Sequence, residues 1–381
     1  MSEATIIENA RIVLADRVLE CGYVAFEGSC IAEIGEGKAP ERGVNAEGNL
    51  LLPGLVELHT DHIEAHVQPR PKVQWDPVSA VVSYDAQIAT SGITTVLDSL
   101  RVWREEGADA TDGQAMLLSH AIDKARAAGL LRIEHFLHLR CEVPMPHVVV
   151  DTAALIGRPD VRLLSLMDHT PGQRQFQDPR MLREYYRGKI GMNEVELDEM
   201  FHRRIELSER YADGNYKGLV ELAAKFGTPL ASHDDTTPAH VDQALKDRIA
   251  IAEFPTNLAS AQGLHTNGIK VMMGAPNLVR GGSHSGNVAT AELARAGLFD
   301  LMSSDYVPSS LLRAALMLPK QAPNYDLPAA IRTVSKTPAE AVGLADRGEI
   351  AVGKRADAIR VHVTPEGIAV RAVWSGGRRV A

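Results

Sequence analysis

Five short apolar runs in this chain each end in histidine or carboxylate side chains, and this arrangement restricts the fold more than any other feature. The five segments are Leu55–Asp61, His138–Glu142, Leu163–His169, Pro229–Asp234 and Asp300–Asp305. Short apolar runs of this kind are typical of buried strands. Parallel (β/α) barrels place their chemistry at the carboxyl ends of their strands, where side chains from separate strands converge. The pattern therefore predicts an α/β protein with a TIM-like (β/α)₈ barrel and a polar site at one end of it.

Residue spacing within the first two segments predicts which side chains share a face. Side chains alternate between the two faces of a strand, so His59 and Asp61 point the same way and can share one ion. In the second segment His138, Arg140 and Glu142 have one parity. The spacing thus directs imidazoles and carboxylates from neighbouring strands to one place.

A divalent metal is the expected cofactor of such a site. A single histidine at a strand end usually has a structural role, but several buried anionic groups without a cation would each cost several kcal/mol. Nitrogen and oxygen donors without a suitably spaced thiolate favour Zn²⁺ or Mn²⁺, and Mg²⁺ is the alternative if carboxylates dominate. The sequence leaves open whether one or two ions bind.

The chain is longer than a minimal barrel, which predicts a second unit. It has 381 residues, 45% of them hydrophobic, whereas a barrel needs about 250. Strand patterns with turn signals occur before residue 52 and again in Ala358–Val363 and Val370–Ser375. We expect residues 1–52 and 345–381 to pair into a small β-sandwich domain beside a hydrolase barrel at 53–344.

Charge and cysteine content limit the partners and the compartment. The net charge of −9 argues against nucleic acid or an anionic membrane as the main partner. Three cysteines without paired spacing indicate a reducing compartment. Since no apolar run reaches about 18 residues, we expect a cytoplasmic protein that binds a small molecule, and a homo-oligomer remains an open alternative.

Several longer motifs carry a resemblance to a known family. Leu51–His59 and Gly348–Asp357 resemble the beginning and end of the barrel in the amidohydrolase superfamily, whose members join a (β/α)₈ barrel to a small β domain built from both termini. Further polar segments are similar to the branch of that superfamily that hydrolyses a ribose triphosphate in phosphonate catabolism: Pro69–Val73, Ser91–Val96, His138–Glu142, Met167–Phe176 and Gly274–Asn287. The resemblance implies a diphosphatase that acts on α-D-ribose 1-methylphosphonate 5-triphosphate in the carbon–phosphorus lyase pathway.

The resemblance also implies roles for individual residues. The predicted metal ligands are His59, Asp61, Glu142, His169, His233 and Asp305, and Asp305 is in addition the predicted catalytic base. Two features depart from the superfamily pattern. The first-strand His-x-His is His59-Thr60-Asp61 here, and Glu142 is the candidate to replace the bridging carboxylated lysine. Asp234, Asp235 and His240 are expected to support His233.

Basic residues on the predicted barrel loops are candidates to bind the phosphate chain, although such side chains are often simply solvated. The candidates are Arg70, Lys72, Arg140, Arg174, Arg280 and His284. Glycines near Ser283 suggest that backbone N–H groups also approach phosphate oxygens. The stretch Gln173–Asp213 fits either a lid over the barrel or an ordinary helical insertion.

Two other functions compete with this interpretation. A deaminase or cyclic amide hydrolase of the same superfamily would have a similar metal cluster but would not need several converging cations. A non-catalytic scaffold in a phosphonate-processing complex would need no exchangeable metal. Metal analysis and product identification discriminate between the three.

Overall fold

Eight parallel strands form one of the two sheets in the described part of the chain. The computed structural model describes residues 5–70, 72–104, 113–174, 183, 187, 193–283 and 285–381. The strands are β1 (Thr5–Val13), β2 (Val18–Glu27), β3 (Cys30–Glu36), β4 (Val44–Asn45), β5 (Leu50–Pro53), β6 (Leu55–Thr60), β7 (Ile93–Val102), β8 (Glu134–Glu142), β9 (Val161–Met167), β10 (Leu230–His233), β11 (Ile251–Glu253), β12 (Lys270–Gly274), β13 (Leu301–Ser303), β14 (Ala358–Val363), β15 (Ile368–Ser375) and β16 (Arg378–Arg379). Strands β6 to β13 lie side by side in chain order. This is the strand order of a (β/α)₈ barrel.

The first and last barrel strands meet near the site. A parallel bridge links Thr60 to Asp305, and the Thr60 hydroxyl donates to the Asp305 carbonyl oxygen at 2.7 Å. Ser303 Oγ donates to the carbonyl oxygen of His59 at 2.8 Å. These contacts close the barrel and fix Asp305 beside the end of β6.

Helices connect the barrel strands. They are α1 (Ile63–Val67), α2 (Pro77–Thr90), α3 (Gln114–Ala127), α4 (Val148–Leu155), α5 (Glu194–Phe226), α6 (Pro238–Lys246), α7 (Leu258–Thr266), α8 (Ala275–Arg280), α9 (Thr290–Ala296), α10 (Ser310–Gln321), α11 (Leu327–Arg332) and α12 (Lys336–Ala341). Local sequence explains several boundaries. Asp76 caps α2 by accepting from Ser79 N, and Pro77 occupies its first turn. None of the helices in the described part of the chain has the length and apolarity of a membrane span.

Helix α5, Glu194–Phe226, has 33 residues. A capping box of Asn193 and Glu196 starts it, and Gly227 ends it in the left-handed conformation. Much of the predicted lid or insertion at 173–213 lies outside the described residues, which resume at 193. The part of α5 within that range does reach the site.

Both termini contribute to the second sheet, as predicted. Its order is β16-β15-β14-β5-β1-β2-β3, with β4 paired to β1. Strands β2 and β15 are four positions apart, which is about 19 Å in a flat sheet. Yet the rings of Phe26 and Trp374 on these strands have centroids 6.4 Å apart. The continuous sheet therefore folds over its own core, in the manner of a sandwich. The domain boundaries at 52 and 344 stay predictions.

Candidate active site

A cavity of about 1320 Å³ opens at the carboxyl ends of the barrel strands. The predicted residues His59, Asp61, Glu142, His169 and His233 line it. The catalytic candidate Asp305 and the phosphate-binding candidates Arg140 and Arg280 line it as well. The structure therefore brings the strand-end residues of the sequence pattern to one place.

The first candidate metal group includes His59, which lines the cavity. His59, His138 and Glu253 each offer a ligand atom, and these atoms lie within 4.8 Å of one another. All three side chains are buried, and the exposed fraction is 0% for His138 and Glu253. Burial lowers the pKa of His138 to about 3 and holds the pKa of His59 well below its usual value. Both imidazoles are therefore neutral at physiological pH, the form that binds metals.

A second candidate group lies beside the first. It consists of His169, His233 and Asp234, whose ligand atoms also lie within 4.8 Å of one another. Glu253 accepts a hydrogen bond from Nδ1 of His233 at 2.9 Å, which leaves Nε2 of that ring as the lone-pair nitrogen. Burial raises the pKa of Asp234 to about 7. We call the six residues of the two groups the upper cluster.

Glu142 contacts the second group through His169. Its Oε1 lies 2.7 Å from His169 Nδ1. Burial alone would raise the pKa of Glu142, but the charge of His169 and this hydrogen bond outweigh burial and bring the pKa to about 2. The contact orients His169 as carboxylates commonly orient metal-binding histidines. Whether Glu142 also bridges metals stays a prediction.

Asp61 pairs with Arg140 at the edge of the site. Arg140 Nη1 donates to Asp61 Oδ2 at 3.0 Å. Burial would raise the pKa of Asp61, but Arg140 outweighs it and the pKa falls below its usual value. Burial raises the pKa of Asp305 to about 7, and the charge of Asp61 adds to that rise. Of the two carboxylates, Asp305 is therefore the one that more readily accepts a proton.

Three residues after barrel strands have left-handed backbone conformations. The φ angles are 55° for Asp234, 55° for Phe254 and 53° for Asp305, and all three side chains line the cavity. Such conformations cost of the order of 1–3 kcal/mol each for residues other than glycine and cluster at functional sites. The strain supports a functional role for the strand ends.

Two buried atoms of the upper cluster indicate that a cation fits there. His59 Nδ1 and Glu253 Oε1 are 3.0 Å apart, but neither has a hydrogen-bond partner in the described part of the chain. Since His59 is neutral, the contact is not an ion pair. A buried polar atom without a partner costs about 1–3 kcal/mol. Imidazole nitrogen and carboxylate oxygen are both good ligands of divalent metals, so the residues present fit the predicted cofactor.

Among the described residues, six arginines and four carboxylates line the cavity. The arginines are Arg101, Arg104, Arg140, Arg203, Arg204 and Arg280. Residues Met200, Arg203, Arg204 and Leu207 follow one face of α5, because they are spaced three or four apart. This helix therefore supplies two cations and two apolar side chains to the same wall.

The structure places three predicted phosphate-binding residues away from the cavity lining. Arg70 and Lys72 are exposed on the connection after α1. Arg174 donates to the His233 carbonyl oxygen at 2.6 Å and to Asp235 Oδ1 at 2.9 Å, so its guanidinium supports the turn after β10. His284 lies outside the described residues.

The glycines near Ser283 also differ from their predicted role. The N–H groups of Gly281 and Gly282 donate to the carbonyl oxygen of Asn277 at 3.1 and 2.9 Å. Gly281 has φ 85° and ends α8. These two N–H groups are therefore engaged in a helix cap rather than turned toward a ligand. The hydroxyls of Ser283 and Ser285, 3.0 Å apart, line the cavity instead.

Sequence reasoning missed Glu253 and did not select His138 as a ligand. Glu253 ends the apolar run Ile249–Glu253, which is the signal used for the five other segments and could have identified it. Asp234 was placed in a supporting role, yet its oxygen belongs to the second group.

Comparison with known proteins establishes the family. A sequence profile described as amidohydrolase family matches residues 87–381. An Escherichia coli (strain K12) protein named alpha-D-ribose 1-methylphosphonate 5-triphosphate diphosphatase is 42% identical over 98% of this chain and 100% of its own length. This chain belongs to the amidohydrolase family. The family assignment agrees with the expected barrel and with the candidate metal groups.

More distant relatives support the fold. An adenine deaminase of Desulfatibacillum aliphaticivorans is 27% identical over 98% of this chain and 58% of its own length. A solved Xaa-Pro dipeptidase matches with a TM-score of 0.67 at 14% identity, over 99% of both chains. N-isopropylammelide isopropylaminohydrolase from Burkholderia multivorans matches with a TM-score of 0.64 at 17% identity, over 99% of this chain and 97% of its own.

Proposed function

We propose that this protein hydrolyses α-D-ribose 1-methylphosphonate 5-triphosphate to the 5-phosphate and diphosphate. The observation that carries the proposal is the cavity in which six arginines face two candidate metal groups. Arginine binds phosphate oxygens through charge-assisted, often bidentate hydrogen bonds. The 42% identity to the Escherichia coli diphosphatase supports the same substrate.

The upper cluster would hold one or two divalent ions, Zn²⁺ or Mn²⁺ with Mg²⁺ as the alternative, and Asp61, Glu142 and Asp305 are the further predicted ligands. A divalent ion held by these residues would lower the pKa of a nearby water and offset negative charge on a phosphoryl oxygen. His169 is held for this task by Glu142. His233 is held by Glu253.

Asp305 would orient the attacking water and accept its proton. Its backbone is fixed by the hydrogen bond from Thr60 Oγ1 to its carbonyl oxygen. Its side chain lines the cavity beside His59 and Asp61. A base fixed in position can take the proton while the water attacks phosphorus.

The arginines would hold the phosphate chain and the departing diphosphate. Arg101 lies in β7, Arg104 follows that strand, Arg140 lies in β8, and Arg280 ends α8. Arg280 is exposed, which leaves its guanidinium accessible to a ligand that enters from solvent. Diphosphate leaves with negative charge, and cations placed around it stabilise that charge in the transition state.

Amide or amine hydrolysis is the competing activity. Several structural relatives are named as hydrolases of C–N bonds, but these likenesses lie below 20% identity and speak for the fold alone. An uncharged cyclic amide would offer no negative charge to the arginines that line the cavity. The phosphate substrate therefore fits the charge of the site better.

Phosphorus NMR of the reaction mixture tests the proposal. We expect signals of diphosphate and of a 5-monophosphate to grow together at equal rates as the triphosphate disappears. Dihydrouracil and adenine, two uncharged molecules offered in parallel as C–N substrates, should react negligibly. Orthophosphate as the sole early product, or efficient amide hydrolysis without phosphate release, would overturn the assignment.

A further inference from the structure

Glu253 lies at the end of β11, fully buried among three histidines of the upper cluster. Its Oε2 accepts a hydrogen bond from His233 Nδ1 at 2.9 Å. Its Oε1 lies 3.0 Å from His59 Nδ1 and 3.6 Å from His138 Nε2. One carboxylate therefore contacts members of both candidate metal groups.

The two oxygens of Glu253 differ in their hydrogen bonding. Oε2 is satisfied by His233, whereas Oε1 has no hydrogen-bond partner in the described part of the chain. The nearest atom, His59 Nδ1, also has none there. The two atoms are close enough to touch but are not aligned for a hydrogen bond. Leaving both buried and unpaired is costly.

The tautomer of His138 determines which of its ring nitrogens has a lone pair near Glu253. His138 Nδ1 lies 2.8 Å from the Leu58 carbonyl oxygen, which can only accept, so Nδ1 carries the proton. Nε2 is then the lone-pair nitrogen, and Ser165 Oγ donates to it. This nitrogen faces Glu253 Oε1. A cation bound to this nitrogen would take the place of the Ser165 hydroxyl as its partner.

We propose that Glu253 is a metal ligand, and that it holds a divalent ion together with His59 and His138. Through its second oxygen the same carboxylate orients His233, so that Nε2 of that ring is presented to the group with His169 and Asp234. Glu253 thus joins the two groups, a role for which the sequence had suggested Glu142. The inference rests on the metal requirement of the proposed function, though not on its substrate.

Glu253→Gln tests the ligand role with minimal change of shape. The glutamine oxygen can still accept from His233, and the change removes the buried negative charge that Oε1 carries without a hydrogen-bond partner. We therefore expect the demetallated variant to melt at or above the temperature of the demetallated wild type. Its metal content after dialysis, measured by mass spectrometry, should fall by about one ion per chain relative to the wild type.

Glu57→Gln is the matched control. Glu57 is also fully buried in the barrel, but its two oxygens accept from the backbone N–H groups of His59 and Ser304 at 2.7 and 2.6 Å. The same chemical change there should lower stability and leave the metal content unchanged. Equal metal loss in both variants would overturn the specific role of Glu253.

Anomalous diffraction from wild-type crystals grown with Zn²⁺ gives a test that does not depend on folding of a variant. A peak within about 2.0–2.2 Å of Glu253 Oε1 supports the proposal. Peaks confined to His169, His233 and Asp234, or a Glu253→Gln protein with wild-type metal content, overturn it. A wild type that loads metal but releases no diphosphate would leave this inference standing and overturn the proposed function. A wild type without metal overturns both.

Discussion

Strand β8 carries two buried histidines three residues apart whose environments are opposite. His138 belongs to the upper cluster at the mouth of the barrel. His135 lies near the other end of the strand, in a lower cluster that we define as Asp85, Asp98, Arg132 and His135. Both rings are nearly inaccessible to solvent, at 0% and 2% exposure. Burial alone would keep both neutral.

Pairing explains why only one of them is charged. His135 Nδ1 lies 2.8 Å from Asp98 Oδ2, and its Nε2 lies 3.3 Å from Asp85 Oδ1. These carboxylates outweigh burial and raise the pKa of His135 to about 9, whereas the pKa of His138 falls to about 3. The lower cluster pairs both ring nitrogens internally and stabilises the fold. The upper cluster leaves lone pairs for a cation.

Metal removal should show the difference between the two clusters most clearly, because only the upper cluster is expected to bind a metal. We expect chelation to abolish triphosphate hydrolysis, because the upper cluster then lacks the cation that its unpaired atoms need. Added Mn²⁺ or Zn²⁺ should restore the activity. Circular dichroism should show a folded barrel throughout, since the lower cluster needs no metal. Full activity in fully demetallated protein would contradict a role of the upper cluster as a metal site.

Asp305→Asn should lower the rate of hydrolysis and leave the fold intact. The change keeps the shape of the side chain but deletes its capacity to accept a proton. Loss of a general base typically lowers kcat by about 10²- to 10⁴-fold. Metal content and melting temperature should stay near the wild-type values. Unaltered turnover would assign the base to another group, with Asp234 as the next candidate.

His135→Gln should act on stability instead of catalysis. A folded-state pKa raised from 6.5 to about 9 corresponds to roughly 3 kcal/mol of stabilisation by the protonated ring. Because the pKa is raised, this contribution is fully present below pH 6.5 and is lost as the pH rises through 9. The difference in free energy of unfolding between wild type and variant should therefore be large at pH 6 and shrink toward pH 10.

Denaturant unfolding at several pH values measures this difference. His120→Gln, on the exposed face of α3, is the control and should show a small difference at every pH. If the difference in free energy of unfolding between wild type and His135→Gln stays constant or widens with pH, His135 does not stabilise the fold through its charge.

Arg280→Ala should have the smallest effect of the four predicted changes, and it should weaken binding of the triphosphate substrate. Loss of a charge-assisted hydrogen bond to phosphate corresponds to about 1.5–3 kcal/mol, or roughly a 10- to 150-fold rise in KM. Arg70→Ala is the matched control, because Arg70 is an exposed arginine outside the cavity lining. Steady-state kinetics with the triphosphate substrate compare the two. Equal effects of both changes would mean that location in the cavity is irrelevant.

The sequence predicted the barrel and much of its site because both depend on local pattern. His59, His169 and His233 each follow a short apolar run, and strand alternation and barrel topology bring such ends together. The predicted strand Ala358–Val363 is β14 in the structure. The pairing of the two terminal segments also followed from their shared strand character.

Other features depend on contacts that local pattern does not contain. Arg174 looks like a free cation in the sequence, but the fold places it against Asp235. The charge of His135 arises from Asp85 and Asp98, which are 50 and 37 residues away in the chain. Arg203 and Arg204 reach the cavity because α5 packs there, and their own segment reads as a solvated helix.

Hydrolysis in ¹⁸O-labelled water shows which phosphorus atom the water attacks. If the upper end of the barrel directs water onto the α-phosphorus while the arginines hold the departing diphosphate, the label enters the 5-phosphate alone. The isotope shift in the phosphorus NMR spectrum reads this out in a single turnover. We expect labelled 5-phosphate and unlabelled diphosphate. Label in the diphosphate, or in free orthophosphate, would contradict it.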